Sequence, residues 1–359
     1  MDRVRVGLLY GGRSGEHEVS VRSARSVAAE IDRDRYELTP IGVDRGGRWY
    51  WLGSGDLPTA AAVVAGQGPE VVPAHGDAGV CRVLDAGSGA EFGRVDVFFP
   101  VLHGPHGEDG ALQGLCEVLG VPCVGAGVIG SALGMDKDVH KRLLREAGLP
   151  VVPFEVVRLH QWRASPDAVA ERLSRLGSAV FVKPANLGSS VGISKVRDRG
   201  QLGPALEAAF RYDRKAVVER AIDAREIECA VLGNDAPRVS VPGEIVPGED
   251  FYSYDDKYAA ASKAELLIPA PLTDQQQQRV RDLALHAFQV LELRGMARVD
   301  FFLDRSSGEF YLNEPNTLPG FTSISMYPKL WEASGIPYSE LISELIELAV
   351  QEYATRPAG

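Results

Sequence analysis

Cysteine is scarce: 359 residues contain only Cys81, Cys116, Cys123 and Cys229, with no CxxC pair among them. Their spacing suits neither a zinc site nor a disulfide framework, so small buried thiols in a reducing cytosol are expected. No run approaches the ~18 apolar residues of a membrane span. The opening MDRVRVGLLYGG lacks the uninterrupted apolar stretch of a signal peptide, and a cytoplasmic location is expected. Basic residues are in deficit, 38 against 49 acidic, for a net charge of -11. Such a chain is a poor binder of nucleic acid or membrane surfaces, and any phosphate it takes must be held by local Lys or Arg. Two nucleotide signatures are also missing, GxGxxG after the first strand and GxxxxGK[ST] anywhere.

What is present is ordinary globular composition, 45% hydrophobic and 24% charged. The length exceeds what one core sustains, so two or three domains are expected. RVRVGLL (3–9) runs into Gly11-Gly12 as a buried strand entering a tight turn. A helix over about 16–31, the strand YELTPIGVD, the strand VDVFFPVLHG and the helix DGALQGLCEVLG follow. That rhythm predicts a doubly wound parallel-sheet domain over 1–135, with the Gly/Ala/Pro-rich stretch 53–93 peripheral to it. A helix near 137–147 then leads to the strands VVPFEVV, AVFVKPA and GISKV and a helix over 200–210. AVVERAI, REIECAVLG and VSVPGEIV are joined by short connections that predict antiparallel pairing. Two α+β units, 136–228 and 229–359, complete the expected α/β (overall α+β) chain.

RVDFFLDRSSGEFYLNEPN reads as a hairpin turning at Ser306-Ser307-Gly308. Arg305 then faces Glu309, Asp300 faces Glu314 and Arg298 faces Asn316. With side chains alternating at period two, all four site-like residues share one face. Directly opposed carboxylates repel, so this arrangement becomes sensible with a divalent cation between them. Asp, Glu and Asn form an all-oxygen set that suits Mg²⁺ shared with substrate phosphates.

KPANLGSSVGISKV (183–196) joins two strands through a loop whose Gly188, Ser189, Ser190 and Gly192 offer backbone N–H groups and hydroxyls with little bulk. A flap over phosphates requires that composition. Lys183 ends a buried strand, where an unpaired ammonium would be costly, and Lys137 opens a helix nearby. Glu219 ends one strand and Glu226 opens the next; a carboxylate there can accept hydrogen bonds from a ribose or adenine edge, or stand as a surface charge.

Taken in order, GGRSGEHEVS, LHGPHGEDG, MDK, VKPANLGSSVGISKV, FYSYDDKY, ARVDFFL, NEPNTLPGFT and SIS resemble the D-alanine–D-alanine ligase family of the ATP-grasp superfamily. The resemblance spans nearly the whole chain and is weakest over 50–93. It implies an ATP-grasp fold in three domains, with ATP as co-substrate and Mg²⁺ as cofactor, two ions that Mn²⁺ can replace. By motif match, Lys137, Lys183, Ser189, Ser190 and Lys257 contact the nucleotide phosphates, Glu219 and Glu226 contact adenosine, and Asp300, Glu314 and Asn316 are the metal ligands. Glu18 holds the ammonium of the first D-alanine and His103 lies near its carboxylate. Arg298 and the Gly320 N–H match an oxyanion site, and Ser325 a contact to the second substrate's carboxylate. Glu18, Ser189 and Tyr258 form a trio latching the closed loops. The Lys257-Tyr258 pair favours an amine over a lactate nucleophile. The implied reaction is ligation of two D-alanines through an acyl phosphate for peptidoglycan precursors. The alternatives are another ATP-grasp ligase joining a different carboxylate and amine, and a relative that forms D-alanyl-D-serine or D-alanyl-D-lactate. The missing GxGxxG argues against a nicotinamide oxidoreductase. A homodimer is the expected assembly, although no residue type carries that expectation.

Overall fold

The computed structural model describes residues 3–53, 57, 61–77, 79–188, 191–247 and 265–355. Ser189, Ser190, Lys257 and Tyr258 therefore lie outside the described residues.

The first sheet comprises β1 (Val4–Gly11), β2 (Tyr36–Val43), β3 (Trp49–Trp51), β4 (Glu70–His75), β5 (Cys81–Asp85), β6 (Glu91–Val95) and β7 (Val97–Pro100). Its order is β6-β5-β4-β3-β2-β1-β7. Only β7, β1 and β2 pair in parallel; the strands from β3 to β6 extend the sheet antiparallel. Strands β4 to β6, which lie largely in the stretch expected to be peripheral, form the outer edge of this sheet, and the parallel expectation holds for three strands alone. Helices α1 (His17–Glu30), α2 (Ala111–Leu119) and α3 (Val128–Met135) accompany it. Most positions of the parallel strands are buried because both faces are covered. Their carboxyl ends carry Gly11-Gly12 and the His103-Gly104 loop side by side, where a ligand crevice forms in sheets of this type.

Helix α4 (Lys137–Glu146) begins at Asp136, whose side chain accepts from the Asp138 and Val139 N–H groups. Beyond it, β8 (Phe154–Arg158), α5 (Leu159–Ala164), α6 (Pro166–Ser174), β9 (Val180–Pro184), β10 (Ser194–Val196), α7 (Leu202–Ala209) and β11 (Lys215–Arg220) build a small unit. Its antiparallel sheet, β10-β9-β11-β8, has its own core of Val157, Val182, Leu206 and Val218.

The third sheet holds β12 (Ala224–Gly233), β13 (Arg238–Val239), β14 (Gly243–Val246), β15 (Glu265–Leu267), β16 (Gly295–Asp304) and β17 (Phe310–Asn316). β12 pairs along its whole length with β16. A boundary at 228/229 therefore cuts a continuous strand; the sheets change between Arg220 and Ala224. For the same reason AVVERAI and REIECAVLG, though adjacent in sequence, do not pair. Helix α8 (Asp274–Val290), capped by Thr273 and Gln276, covers one face. α9 (Met326–Ala333) and α10 (Tyr338–Thr355) fasten the other to the first sheet, through a shared core that includes Phe99, Phe321, Tyr327 and Leu345. No helix among the described residues is long and apolar enough to cross a membrane.

Candidate active site

The hairpin β16–β17 pairs Arg298 with Asn316 and Asp300 with Glu314, and all four side chains face the cleft side. The route to that register differs from the expected one. Leu303 faces Phe310, so the turn spans four residues from Arg305 to Gly308 and starts one residue out of phase. An irregularity between Asp300 and Phe301 leaves Asn313 as an extra residue on β17 and restores the phase. Leu312 and Pro315 are buried on the core side, whereas Asn313, Glu314 and Asn316 are only partly covered.

Arg298 forms a fork on Asp300, Nε to Oδ1 at 2.7 Å and Nη2 to Oδ2 at 2.8 Å, and its Nε lies 2.9 Å from Glu228 Oε2. Asn316 Nδ2 donates to Asp300 Oδ2 at 2.9 Å; turning that amide over presents its oxygen instead. No group of three His, Cys, Asp or Glu side chains able to hold a metal occurs among the described residues. A cation here would take two carboxylates and an amide from the protein and complete its shell with phosphate or water, as Mg²⁺ does. The opposed carboxylates and the all-oxygen set fit such an ion.

Helix α4 faces this strand pair with Lys137 and Lys141, four residues apart and so on one helical face. Lys137 Nζ lies 2.9 Å from Glu314 Oε2 and donates to the Leu187 carbonyl at 2.8 Å, joining the β16–β17 hairpin to the Gly/Ser loop. Lys183 Nζ donates to Glu219 Oε2 at 2.9 Å and Asn313 Oδ1 at 3.2 Å. Lys141, fully buried, lies 3.1 Å from Glu219 Oε1 and donates to the Asn313 carbonyl at 2.9 Å. Burial works against ionising Glu219, but the two ammoniums outweigh it and hold the carboxyl at about 2. Burial lowers Lys141, while Lys183 stays above its ordinary value because Glu219 and Glu314 offset its burial. Glu226, on β12 across from Phe302, is half-buried and adds to the field that keeps Lys183 charged. Within the Gly/Ser loop, Gly192 has φ +73°, and a Cβ there would come within 2.8 Å of Tyr212 and 2.9 Å of Pro184, so only glycine fits.

Across the cleft, the N-terminal motif does not bring Glu18 to the site. Glu18 lies on α1 with its side chain 48% exposed, paired with Arg45 at 2.6 Å. Glu16, the N-cap residue of α1, is buried instead. Its Oε2 lies where a Cβ on Gly104 would stand 3.4 Å away and one on Gly188 3.8 Å away, between the His103 loop and the Gly/Ser loop. Burial, reinforced by the Glu16 charge, pushes Glu108 up to about 8 and keeps it protonated at neutral pH. His103 is buried, with Nδ1 3.1 Å from the Leu318 carbonyl and Nε2 3.3 Å from Ser23 Oγ. The carbonyl requires the proton on Nδ1, and burial lowers the ring below its usual range. Ser23 Oγ also accepts from the Phe321 N–H at 3.4 Å, so His103 and Ser23 brace the 318–321 loop that contains Gly320. A Cβ at Gly320 would lie 3.1 Å from Ser325 Oγ, and Ser325 itself bonds Thr322 Oγ1 at 2.8 Å.

Sequence reasoning passed over Glu16, Glu108, Lys141, Glu228 and Asn313. A lysine in GMDKDVHK reads as a surface residue unless its i,i+4 partner is known to face a cleft. Glu228 shares a face with Glu226 by strand alternation, which was the one available signal.

A family model described as the D-ala D-ala ligase N-terminus matches residues 5–126, and one described as its C-terminus matches 143–347. A D-alanine–D-alanine ligase from Thermoanaerobacter sp. is 51% identical, covering 98% of both chains. D-alanine–D-alanine ligase A of Escherichia coli K12 is 46% identical, covering 99% of this chain and 98% of its own. Among solved structures, the D-alanine–D-alanine ligase of Coxiella burnetii superposes with TM-score 0.83 at 36% identity, over 98% of this chain and 96% of that one. The VanG D-Ala:D-Ser ligase of Enterococcus faecalis superposes with TM-score 0.84 at 33% identity, over 97% and 100%. The fold is ATP-grasp, and the chain belongs to the D-alanine–D-alanine ligase family.

Proposed function

We propose that the enzyme joins two D-alanine molecules at the expense of ATP, supplying the dipeptide for peptidoglycan precursors. One observation carries the reading beyond family membership: Asp300 and Glu314 oppose each other with Asn316 alongside, and Lys137 and Lys183 reach the same cleft. That is a cation-and-phosphate constellation on an acidic protein.

A carboxylate is a poor electrophile, so the first D-alanine attacks the γ-phosphate, ADP leaves and an acyl phosphate forms. Lys137 and Lys183 spread the charge of the transferring group. A divalent ion held by Asp300, Glu314 and Asn316 would supply further neutralisation of the phosphates. The neutral amine of the second D-alanine then attacks the acyl carbon and expels phosphate. Arg298, oriented by Asp300 and Glu228, and the Gly320 N–H serve the tetrahedral oxyanion. Ser325, beside Gly320, takes the second substrate's carboxylate. Glu16, in place of Glu18, holds the first ammonium, and neutral His103 lies at that end of the cleft. Glu226 serves adenosine. Glu219, whose oxygens are engaged by Lys141 and Lys183, acts on the nucleotide through Lys183. Ser189, Ser190, Lys257 and Tyr258 supply the closing loops that exclude water from the acyl phosphate. Mg²⁺ (two ions, with Mn²⁺ able to substitute), a cytoplasmic location and a homodimer complete the proposal.

The likeness to a D-Ala:D-Ser ligase makes the second substrate the point to test. Phosphate release is measured with D-alanine alone, D-alanine with D-serine or D-lactate, and the L-forms. D-alanine alone should support turnover and L-alanine should not. Turnover with L-alanine, or release only when D-serine is added, contradicts the reading.

A further inference from the structure

We propose that Lys141 is a positioning residue that clamps the Asn313 bulge and thereby holds Glu314 and Asn316 on the metal-binding face. The inference rests on the reading of Asp300, Glu314 and Asn316 as metal ligands.

Continued without the bulge, the ladder that pairs Phe301 with Leu312 would set Asn313 opposite Asp300. Glu314 and Asn316 would then turn to the core side, where Leu312 and Pro315 are buried. One extra residue therefore decides whether the carboxylate of Glu314 faces the cleft. A bulge interrupts the ladder, and the backbone groups it frees need new partners in a buried setting. The Asn313 carbonyl finds one in Lys141 Nζ at 2.9 Å, and separately the Asn313 side-chain oxygen accepts from Lys183 Nζ at 3.2 Å.

Lys141 suits a holding role better than a direct one. It is fully buried, and its described partners are Glu219 on β11 and Asn313 on β17, so it ties α4 to both of the sheets that face the cleft. An ammonium this deep is costly unless paired and hydrogen-bonded. A methionine would fill the space without the charge, so packing does not call for lysine.

The test measures Mn²⁺ binding by electron paramagnetic resonance at saturating ADP, for the wild type, Lys141→Met and Lys141→Arg, each checked for folding by circular dichroism. The readout separates three roles by sign. Removing a positive charge near a cation site would strengthen Mn²⁺ binding if Lys141 acted only through its field. A purely stabilising role would lower Tm and leave Mn²⁺ affinity unchanged. The positioning role predicts at least tenfold weaker Mn²⁺ binding in Lys141→Met, with Lys141→Arg within threefold of wild type. Unchanged or tighter binding in Lys141→Met overturns the proposal, as does an equal loss in Lys141→Arg. Should Lys141→Met not fold, the Lys141→Arg result decides by the same limits. Absence of Mn²⁺ binding in the wild type would instead remove the metal-site reading itself.

Discussion

Arg298 and Asp300 are two residues apart, and so are Glu16 and Glu18, yet only the first pair acts together. On β16 the period of two sends both side chains to the cleft, where they meet in a bidentate ion pair. Glu16 ends a loop and Glu18 is already on α1, where two residues turn the side chain through about 200°. One carboxylate enters the crevice and the other pairs with Arg45 at the surface. Spacing carries functional meaning only once the element that hosts it is known.

The largest expected effect breaks the strand half of this comparison. Glu314→Gln keeps the shape of the hairpin but removes one of the opposed carboxylates. D-alanine-dependent phosphate release should fall at least about a hundredfold, with an unchanged circular dichroism spectrum. Wild-type rates would remove the metal site from the account.

The loop–helix half is sharpened by a matched pair of variants. Glu16→Gln should raise KM for D-alanine by roughly 30-fold or more, because losing one partner of a buried charge pair costs about 2–5 kcal/mol. Glu18→Gln should stay within about twofold, since an exposed pair contributes at most about 1 kcal/mol. Initial rates across D-alanine concentration decide it, and the reverse order would restore Glu18 to the site.

A smaller effect appears in acid. The Glu219 carboxyl, held at about 2 against an ordinary 4.5, contributes stability that is present above about pH 4.5 and lost as pH falls toward 2. Glu219→Gln should lower Tm at pH 7, leaving two buried ammoniums without their anion. It should also flatten the decline between pH 4.5 and 2.5. A parallel decline in variant and wild type would show that the lysines do not set this carboxyl.

These residues also mark what could be read beforehand. The facing of Asp300 on Glu314 was reached from a turn at Ser306-Ser307-Gly308 and a strict period of two. The turn and the bulge were not legible, and their one-residue offsets cancel at Asp300. Strands β3 to β6 were not legible because they are short, and Pro73 and Gly93 break the pattern in two of them. Trp51 stacks on Phe92 and lies 2.7 Å from where a Cβ on Gly93 would be, so that glycine is a packing requirement inside a strand. Lys141 was hidden for a related reason: a charged residue in a polar helix looks solvated until the fold closes over it.

The central claim is that this cleft couples ATP to D-alanine through an ion held on the β16–β17 hairpin. Phosphate release by the wild-type enzyme, at saturating ATP and D-alanine, with and without a metal chelator, tests it most directly. Release that requires D-alanine, stops on chelation and returns with added Mg²⁺ is the predicted result. Release that continues at the same rate after chelation, or that proceeds without D-alanine, would contradict it.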